Sequence, residues 1–197
     1  QVGANTTAND RIDITTTASD LLARVGAAGS VTGGLSGIRA TQNGAGNTSV
    51  SAAGLVSGGS EAGITTVAST GNSVTIDLLN GASISSVAGV AVRDANANAS
   101  LSMASGSRAS GLILLGNGND TATIRGTADL SGVTLLDAGD STDAAVTDVL
   151  GTAGAATNRL NFQDATQSLG GSVMRNWQTV TLNNSAVVLN GDATLVT

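Results

Sequence analysis

The chain has no cysteine, proline, histidine, lysine or tyrosine, and only one phenylalanine and one tryptophan. Without Cys, His and Lys, a thiol nucleophile, a Ser-His-Asp triad, a Schiff base and an imidazole metal site are all excluded within these residues. Absence of Cys fits either a reducing compartment or an export route that works best without disulfides. Positive charge is scarce as well. Eight arginines stand against 14 acidic residues, for a net charge of −6, and both signs are scattered. No basic patch exists to release counterions from a polyanion, so nucleic acid and an anionic membrane surface are not expected partners. No apolar run approaches the ~20 residues of a membrane-spanning helix. Aromatic residues are too few for the girdles of a transmembrane barrel. Direct membrane insertion is therefore not expected. The opening QVGANTTAND has no charged and apolar leader, so an exported protein would be represented here by a processed piece.

What is present is glycine, 27 residues of it, with Ala, Ser, Thr and Asn, and apolar side chains drawn mostly from Val, Ile, Leu and Ala. Such side chains suit a thin core in which each layer of chain is covered by the next. Few charges and much glycine also describe disordered chains, but those lack the regularly spaced Val, Ile and Leu found here.

A small-residue corner recurs as Ser36-Gly37-Ile38, Ala62-Gly63-Ile64, Ala88-Gly89-Val90, Ser110-Gly111-Leu112 and Ser131-Gly132-Val133. The intervals between its glycines are 63 − 37 = 26, 89 − 63 = 26, 111 − 89 = 22 and 132 − 111 = 21. A second series follows it: Thr48-Ser49-Val50, Ser73-Val74-Thr75-Ile76, Ser100-Leu101-Ser102-Met103 and Thr121-Ala122-Thr123-Ile124. A third precedes several corners, at Gly29-Ser30-Val31, Gly54-Leu55-Val56 and Gly81-Ala82-Ser83-Ile84. Short strands with period-2 alternation put one or two apolar residues per face inside and Ser or Thr outside. Gly and Asn at the corners supply the backbone conformations that sharp bends need. A unit of this length cannot close a core alone and must stack on its neighbour. The spacing predicts an all-β fold: a right-handed, single-stranded parallel β-helix, a solenoid of three strands per turn with a C-terminal cap. At ~4.8 Å per coil, about eight or nine coils would make a rod of roughly 40 Å.

Two stretches read less simply. Ala18–Ala28 fits a short helix with Leu21, Leu22 and Val25 on one face, or a coil of the solenoid with Leu22 and Val25 inward. After Asp148 the rhythm changes, with a small-residue segment at Gly151–Asn158 and strands at Leu160-Asn161-Phe162, around Val180, at Ala186–Leu189 and at Thr194-Leu195-Val196. The Asn190-Gly191 turn is also a hairpin signal, so these last strands are either antiparallel or part of the solenoid. Phe162, Trp177 and Met174 all fall in this segment. The end of a solenoid exposes an apolar face and open backbone edges, so bulky residues there read as a cap. The cap is assigned to Trp177, Phe162, Val180, Leu182 and Leu189, and the chain to stalk coils at 1–110 and C-terminal coils with a cap at 111–197, in one continuous solenoid.

Gly116-Asn117-Gly118-Asn119-Asp120-Thr121, Leu136-Asp137-Ala138-Gly139-Asp140-Ser141-Thr142-Asp143, Asn176-Trp177-Gln178-Thr179-Val180-Thr181-Leu182 and Ala186-Val187-Val188-Leu189-Asn190-Gly191 form one pattern. It resembles the autochaperone-type region that ends the passenger of type Va bacterial autotransporters. The upstream corners are similar to the β-helical stalk of the same passengers. The second acidic turn departs from the usual form, with Asp140-Ser141 where another Gly is common. The resemblance implies export across the outer membrane of a Gram-negative bacterium, with display or release at the cell surface. It implies an outer-membrane β-barrel translocator as partner, absent from this chain. It also implies that the C-terminal segment folds first and templates coils toward the N-terminus.

The remaining chemistry is carboxylate chemistry. Asp120, Asp137, Asp140, Asp143 and Asp148 are the candidates for a polysaccharide-cleaving site. The competing reading is that Asp in Gly/Asn turns caps local backbone N–H groups. Leu115–Thr123 partly resembles the calcium-binding nonapeptide of repeat-in-toxin proteins, but Leu115 replaces its first Gly and no tandem copy follows. No cofactor, metal or catalytic residue is expected. Thr16-Thr17, Thr65-Thr66 and Thr179/Thr181 hint at a flat ice-binding face without recurring at the coil period. The expected function is a structural surface-display stalk. An adhesin rod that binds host or neighbouring-cell molecules is the alternative.

Overall fold

A computed structural model describes residues 12–17, 19–139 and 157–191. Nineteen strands and no helix occur among them. Every strand pair is parallel, and the strands stack in three walls. In chain order, the first three coils hold β1 (Ile12–Thr16), β2 (Leu21–Val25), β3 (Ser30–Thr32), β4 (Ile38–Gln42), β5 (Thr48–Ala52), β6 (Leu55–Gly58), β7 (Ala62–Ala68), β8 (Ser73–Leu78) and β9 (Ser83–Ser86). Then come β10 (Val90–Asp94), β11 (Asn98–Met103), β12 (Arg108–Leu114), β13 (Thr121–Arg125) and β14 (Asp129–Asp137). The last are β15 (Arg159–Gln163), β16 (Thr166–Gly170), β17 (Met174–Arg175), β18 (Thr179–Asn183) and β19 (Ala186–Asn190). This is the all-β stack of parallel strands expected of a β-solenoid.

The second wall is one sheet of seven strands, β2-β5-β8-β11-β13-β15-β18. One strand per coil gives seven coils among the described residues and a stack about 30 Å tall. The first wall is β1-β4-β7-β10, continued by the C-terminal halves of β12 and β14 and then by β17. The third is β3-β6-β9, continued by the N-terminal halves of the same two strands. So β12 and β14 run through the corner that interrupts the earlier coils. The second wall passes residue 110 without a break, since β11 pairs both β8 and β13.

Alternation accounts for the core. The second wall aligns two inward columns, Ala23–Val50–Ile76–Leu101–Ala122–Leu160–Val180 and Val25–Ala52–Leu78–Met103–Ile124–Phe162–Leu182. Most of these side chains belong to one buried cluster that runs from Leu21 to Trp177. Each is covered by the residue one coil away rather than by a second layer of structure.

The pairing decides between alternatives that the sequence left open and corrects others. Residues 21–25 form strand β2, with Leu21, Ala23 and Val25 buried and Leu22 54% exposed. The register with β5 sets that facing, because Ala23 and Val25 stack on Val50 and Ala52. The last strands stay in the solenoid, with β15 parallel to β18 and β16 parallel to β19. The five corner glycines do not form one column. Gly37 stacks with Gly63, but Val90 pairs with Ala62 and Val92 with Ile64, so Ala91 lies level with Gly63. The register slips between Val90 and Val92 at a bulge against β12. Gly111 then stacks on Gly89: it has φ +106°, and a Cβ there would stand 2.2 Å from the Gly89 carbonyl oxygen. The bulge falls where the interval between corner glycines shortens. The segment 151–156 and the strand at Thr194-Leu195-Val196 lie outside the described residues.

Candidate functional site

The residues assigned to the cap separate into two groups. Phe162 and Trp177 are fully enclosed, and the Trp177 indole N–H donates to the Leu136 carbonyl at 3.0 Å. That bond ties the seventh coil to the sixth while the ring fills the interior. Val180 and Leu182 end the inward columns and are 37% and 51% exposed, because no described residue stacks on them. With Met174, Val187 and the half-buried Leu189 they line an apolar recess of about 270 Å³ at the end of the stack.

The corner leading into the second wall carries two ladders of side chains. On the outside, a side-chain oxygen of one coil accepts a backbone N–H from the next. The Asn47 N–H donates to Asp20 Oδ1 at 2.8 Å, Asn119 N–H to Asn98 Oδ1 at 2.9 Å, and Thr157 N–H to Asn119 Oδ1 at 2.8 Å. One residue further on, the inner ladder runs the other way. Ala99 N–H donates to Asp120 Oδ1 at 2.7 Å, Asp120 N–H to Asn158 Oδ1 at 2.8 Å, and Asn158 N–H to Gln178 Oε1 at 2.7 Å. Asn158 is buried and also donates from Nδ2 to the carbonyls of Ala138 and Asn176, at 2.7 and 3.0 Å. The motif search missed Asn158 and Gln178. Each immediately precedes a strand of the second wall, as Asp120 precedes Thr121, a placement that becomes a signal only once those strands are paired.

Of the five candidate acids, Asp120 and Asp137 lie within the described residues; Asp140, Asp143 and Asp148 lie outside them. Asp137 caps a local turn by accepting the Gly139 N–H at 2.8 Å, and it also accepts Asn176 Nδ2 at 2.7 Å. Asp120 does something else, accepting from a neighbouring coil. Burial pushes its carboxyl up to about 8, against the lowering effect of the Ala99 N–H, with the Asp94 charge adding to the rise. Asp94 is also buried and raised by desolvation, although Thr66 Oγ1 donates to it at 2.5 Å and the Ala97 N–H at 3.0 Å. Among the described residues no group of three or more His, Cys, Asp or Glu could hold a metal ion.

Two other carboxylates share a groove that sequence reasoning passed over. β16 pairs only with β19, so the third wall is open between β14 and β16. The buried Gln167 bridges that opening, donating from Nε2 to the Ala128 carbonyl at 2.8 Å. The groove outside it, about 540 Å³, is lined by Thr127, Asp129, Ser131, Asp164, Thr166 and Ser168 among others. Asp129 is held below the usual carboxylate range by the Ser131 hydroxyl and N–H, and pairs with Arg108 at 3.5 Å. No sequence pattern marks this groove, because it exists only where two strands fail to pair.

The Thr16-Thr17 and Thr65-Thr66 pairs do not stack on one another, but the outward face of the second wall carries a series of its own. Hydroxyl pairs do recur at the coil period there, as Ser49/Ser51, Ser100/Ser102, Thr121/Thr123 and Thr179/Thr181, with Thr75/Asp77 and Arg159/Asn161 between them. In comparisons with known proteins, the chain matches no family model, no curated protein and no solved structure.

Proposed function

We propose that this chain is a structural rod from a secreted or surface-displayed bacterial protein, the C-terminal part of an autotransporter-type passenger. In this reading it projects a distal region from the cell, and its C-terminal coils nucleate folding as the chain emerges through an outer-membrane β-barrel. The observation that supports it is the distribution of bulk along one continuous core. The inward columns are built from Ala, Val, Ile, Leu and Met until the last coils, where Phe162 and Trp177 are enclosed. Large rings bury more apolar area per residue than the small side chains upstream, which makes the C-terminal coils the part best able to hold structure alone. The sequence resemblance supplies the export route, and the role is noncatalytic.

The single tryptophan tests this. Guanidinium unfolding is followed by Trp177 fluorescence, which reports the C-terminal coils, and by far-UV circular dichroism, which reports the whole rod. The expected result is that circular dichroism falls first and fluorescence changes at higher denaturant. Fluorescence that changes first, or curves that coincide, would remove the stable C-terminal nucleus. The second reading, an adhesin rod, is favoured by the outward face of Ser/Thr pairs on the second wall, and a glycan and host-surface binding screen on the chain checks it.

A further inference from the structure

The corner between the first and second walls encloses a carboxyl group in surroundings that call for a hydrogen-bond donor. Asp120 and Asn158 hold the same inward position in successive coils, since Thr121 pairs with Arg159. Each side chain accepts a backbone N–H from the preceding coil through one oxygen. The second polar atom is where they differ. At Asn158 it is Nδ2, which donates to the Ala138 and Asn176 carbonyls. At Asp120 it is Oδ2, buried and without a hydrogen-bond partner among the described residues. Leu114 pairs with Asp137, so the Leu115 carbonyl stands in the fifth coil where Ala138 stands in the sixth. An ionised carboxylate can only accept. A protonated one has an O–H to offer, as the Asn158 amide has its N–H.

Among the described residues nothing compensates that carboxylate. Asp94 on β10 is the charged group that acts on Asp120, and both of its oxygens are engaged by Thr66 and Ala97. The neighbours on the second wall, Ala99 and Asn158, are uncharged. The Asp137 carboxylate of β14 is turned to Gly139 and Asn176.

We propose that Asp120 is a proton-held latch between coils: its neutral carboxyl serves as an asparagine in the inner ladder, and losing that proton as the medium turns alkaline loosens the stack where the fourth, fifth and sixth coils meet. This rests on the fold and is independent of the proposed secretion role. The sign follows from which state holds the proton more tightly. In the unfolded chain the group titrates near its ordinary 3.8, and in the folded chain near 8. The folded state therefore keeps its full stability below the unfolded value and loses it as pH rises through the folded one. Across that window this group alone lowers the folding equilibrium constant ~tenfold per pH unit.

The experiment is guanidinium unfolding of the chain by circular dichroism between about pH 5 and 9, for the wild type, Asp120→Asn and the half-buried control Asp129→Asn. The wild-type and control midpoints should fall as pH rises, and Asp120→Asn should flatten the dependence and be the most stable at the alkaline end. A level wild-type profile, or an Asp120→Asn slope no shallower than that of the wild type, overturns the proposal; the raised Asp94 carboxyl adds a fall of its own to both. So does a midpoint that responds to added Na⁺ or Ca²⁺ at fixed pH and loses that response in Asp120→Asn, since it assigns the corner to a cation. Infrared spectroscopy gives a readout that does not depend on a variant folding. The wild type should show the carbonyl band of a protonated carboxyl near neutral pH that disappears by about pH 9, and absence of that band overturns the latch.

Discussion

The N-terminal four coils and the C-terminal three share one core but are held by different devices. The intervals between rungs of the second wall are 48 − 21 = 27, 74 − 48 = 26 and 99 − 74 = 25 in the first four coils. The next is 120 − 99 = 21 and the last is 178 − 158 = 20, with residues 140–156 falling in the coil between them. A longer coil turns its corners with separate glycine-rich breaks, and the interior of the first four coils is filled by Ala, Val, Ile, Leu and Met. A shorter coil has less chain with which to bend, so β12 and β14 carry the strand through the corner with bulges. Larger side chains fill the interior only in the last two coils, at Phe162 and Trp177. At the corner into the second wall the first coils use an exposed rung at Asp20 and the later ones buried rungs at Asp120 and Asn158. The first wall carries buried ties in the early coils too, between Ser36 and Thr65 and from Thr66 to Asp94. One fold thus accommodates two coil lengths, with Phe162, Trp177 and the buried rungs of the inner ladder gathered in its C-terminal coils.

That contrast can be broken by substitution. Trp177→Ala should have the largest effect, a loss of about 3–5 kcal/mol, against about 0.5–1.5 kcal/mol for Ile76→Val in the third coil, both read from denaturation midpoints. Equal, small effects would remove the C-terminal bulk from its special place. Asn158→Ala removes the side chain that accepts from Asp120 and donates to the buried Ala138 carbonyl and the half-buried Asn176 carbonyl. It should cost about 2–3 kcal/mol and speed hydrogen exchange at the Asp120 amide. Gly111→Ala forces a side chain into a left-handed conformation and against the Gly89 carbonyl. A loss of about 1–3 kcal/mol is expected, seen as a lower thermal midpoint. Asp20→Ala should be the mildest, about 0.5–1 kcal/mol, because its ladder bond is exposed and water replaces the lost oxygen. If Asp20→Ala matched Asn158→Ala, the distinction between outer and inner ladders would be empty.

The strands of the second wall were legible because Thr121-Ala122-Thr123-Ile124 and its counterparts alternate with period two, and that pattern depends only on local chain geometry. The identity of the inward residue was less so. Leu21 and Leu22 are equally apolar, and only the pairing with β5 turns the first inward and the second to solvent. The slip at Gly89 was hidden for a similar reason, since a bulge shifts register without altering the motif that marks the corner. Asn158 escaped because residues 140–156 interrupt the period, so its equivalence to Asp120 shows only once β13 and β15 are paired. The Asp129–Asp164 groove had no motif at all, being produced by strands that do not pair.

By itself the sequence determined the class of structure. Missing Pro, short alternating strands and recurrent Gly corners leave a chain that can bury its apolar residues only by stacking coil on coil. It also determined which chemistries are absent, since these follow from side chains that are not there. Tertiary structure alone decided which polar groups are buried together. Asp120 reads as an ordinary turn acid until the stack closes over it. Its proton affinity depends on burial and on Asp94, and its fitness for the ladder on Asn158, distant along the chain but one rung away in space. Hydrophobic periodicity is a property of neighbours in sequence, whereas desolvation is a property of neighbours in space.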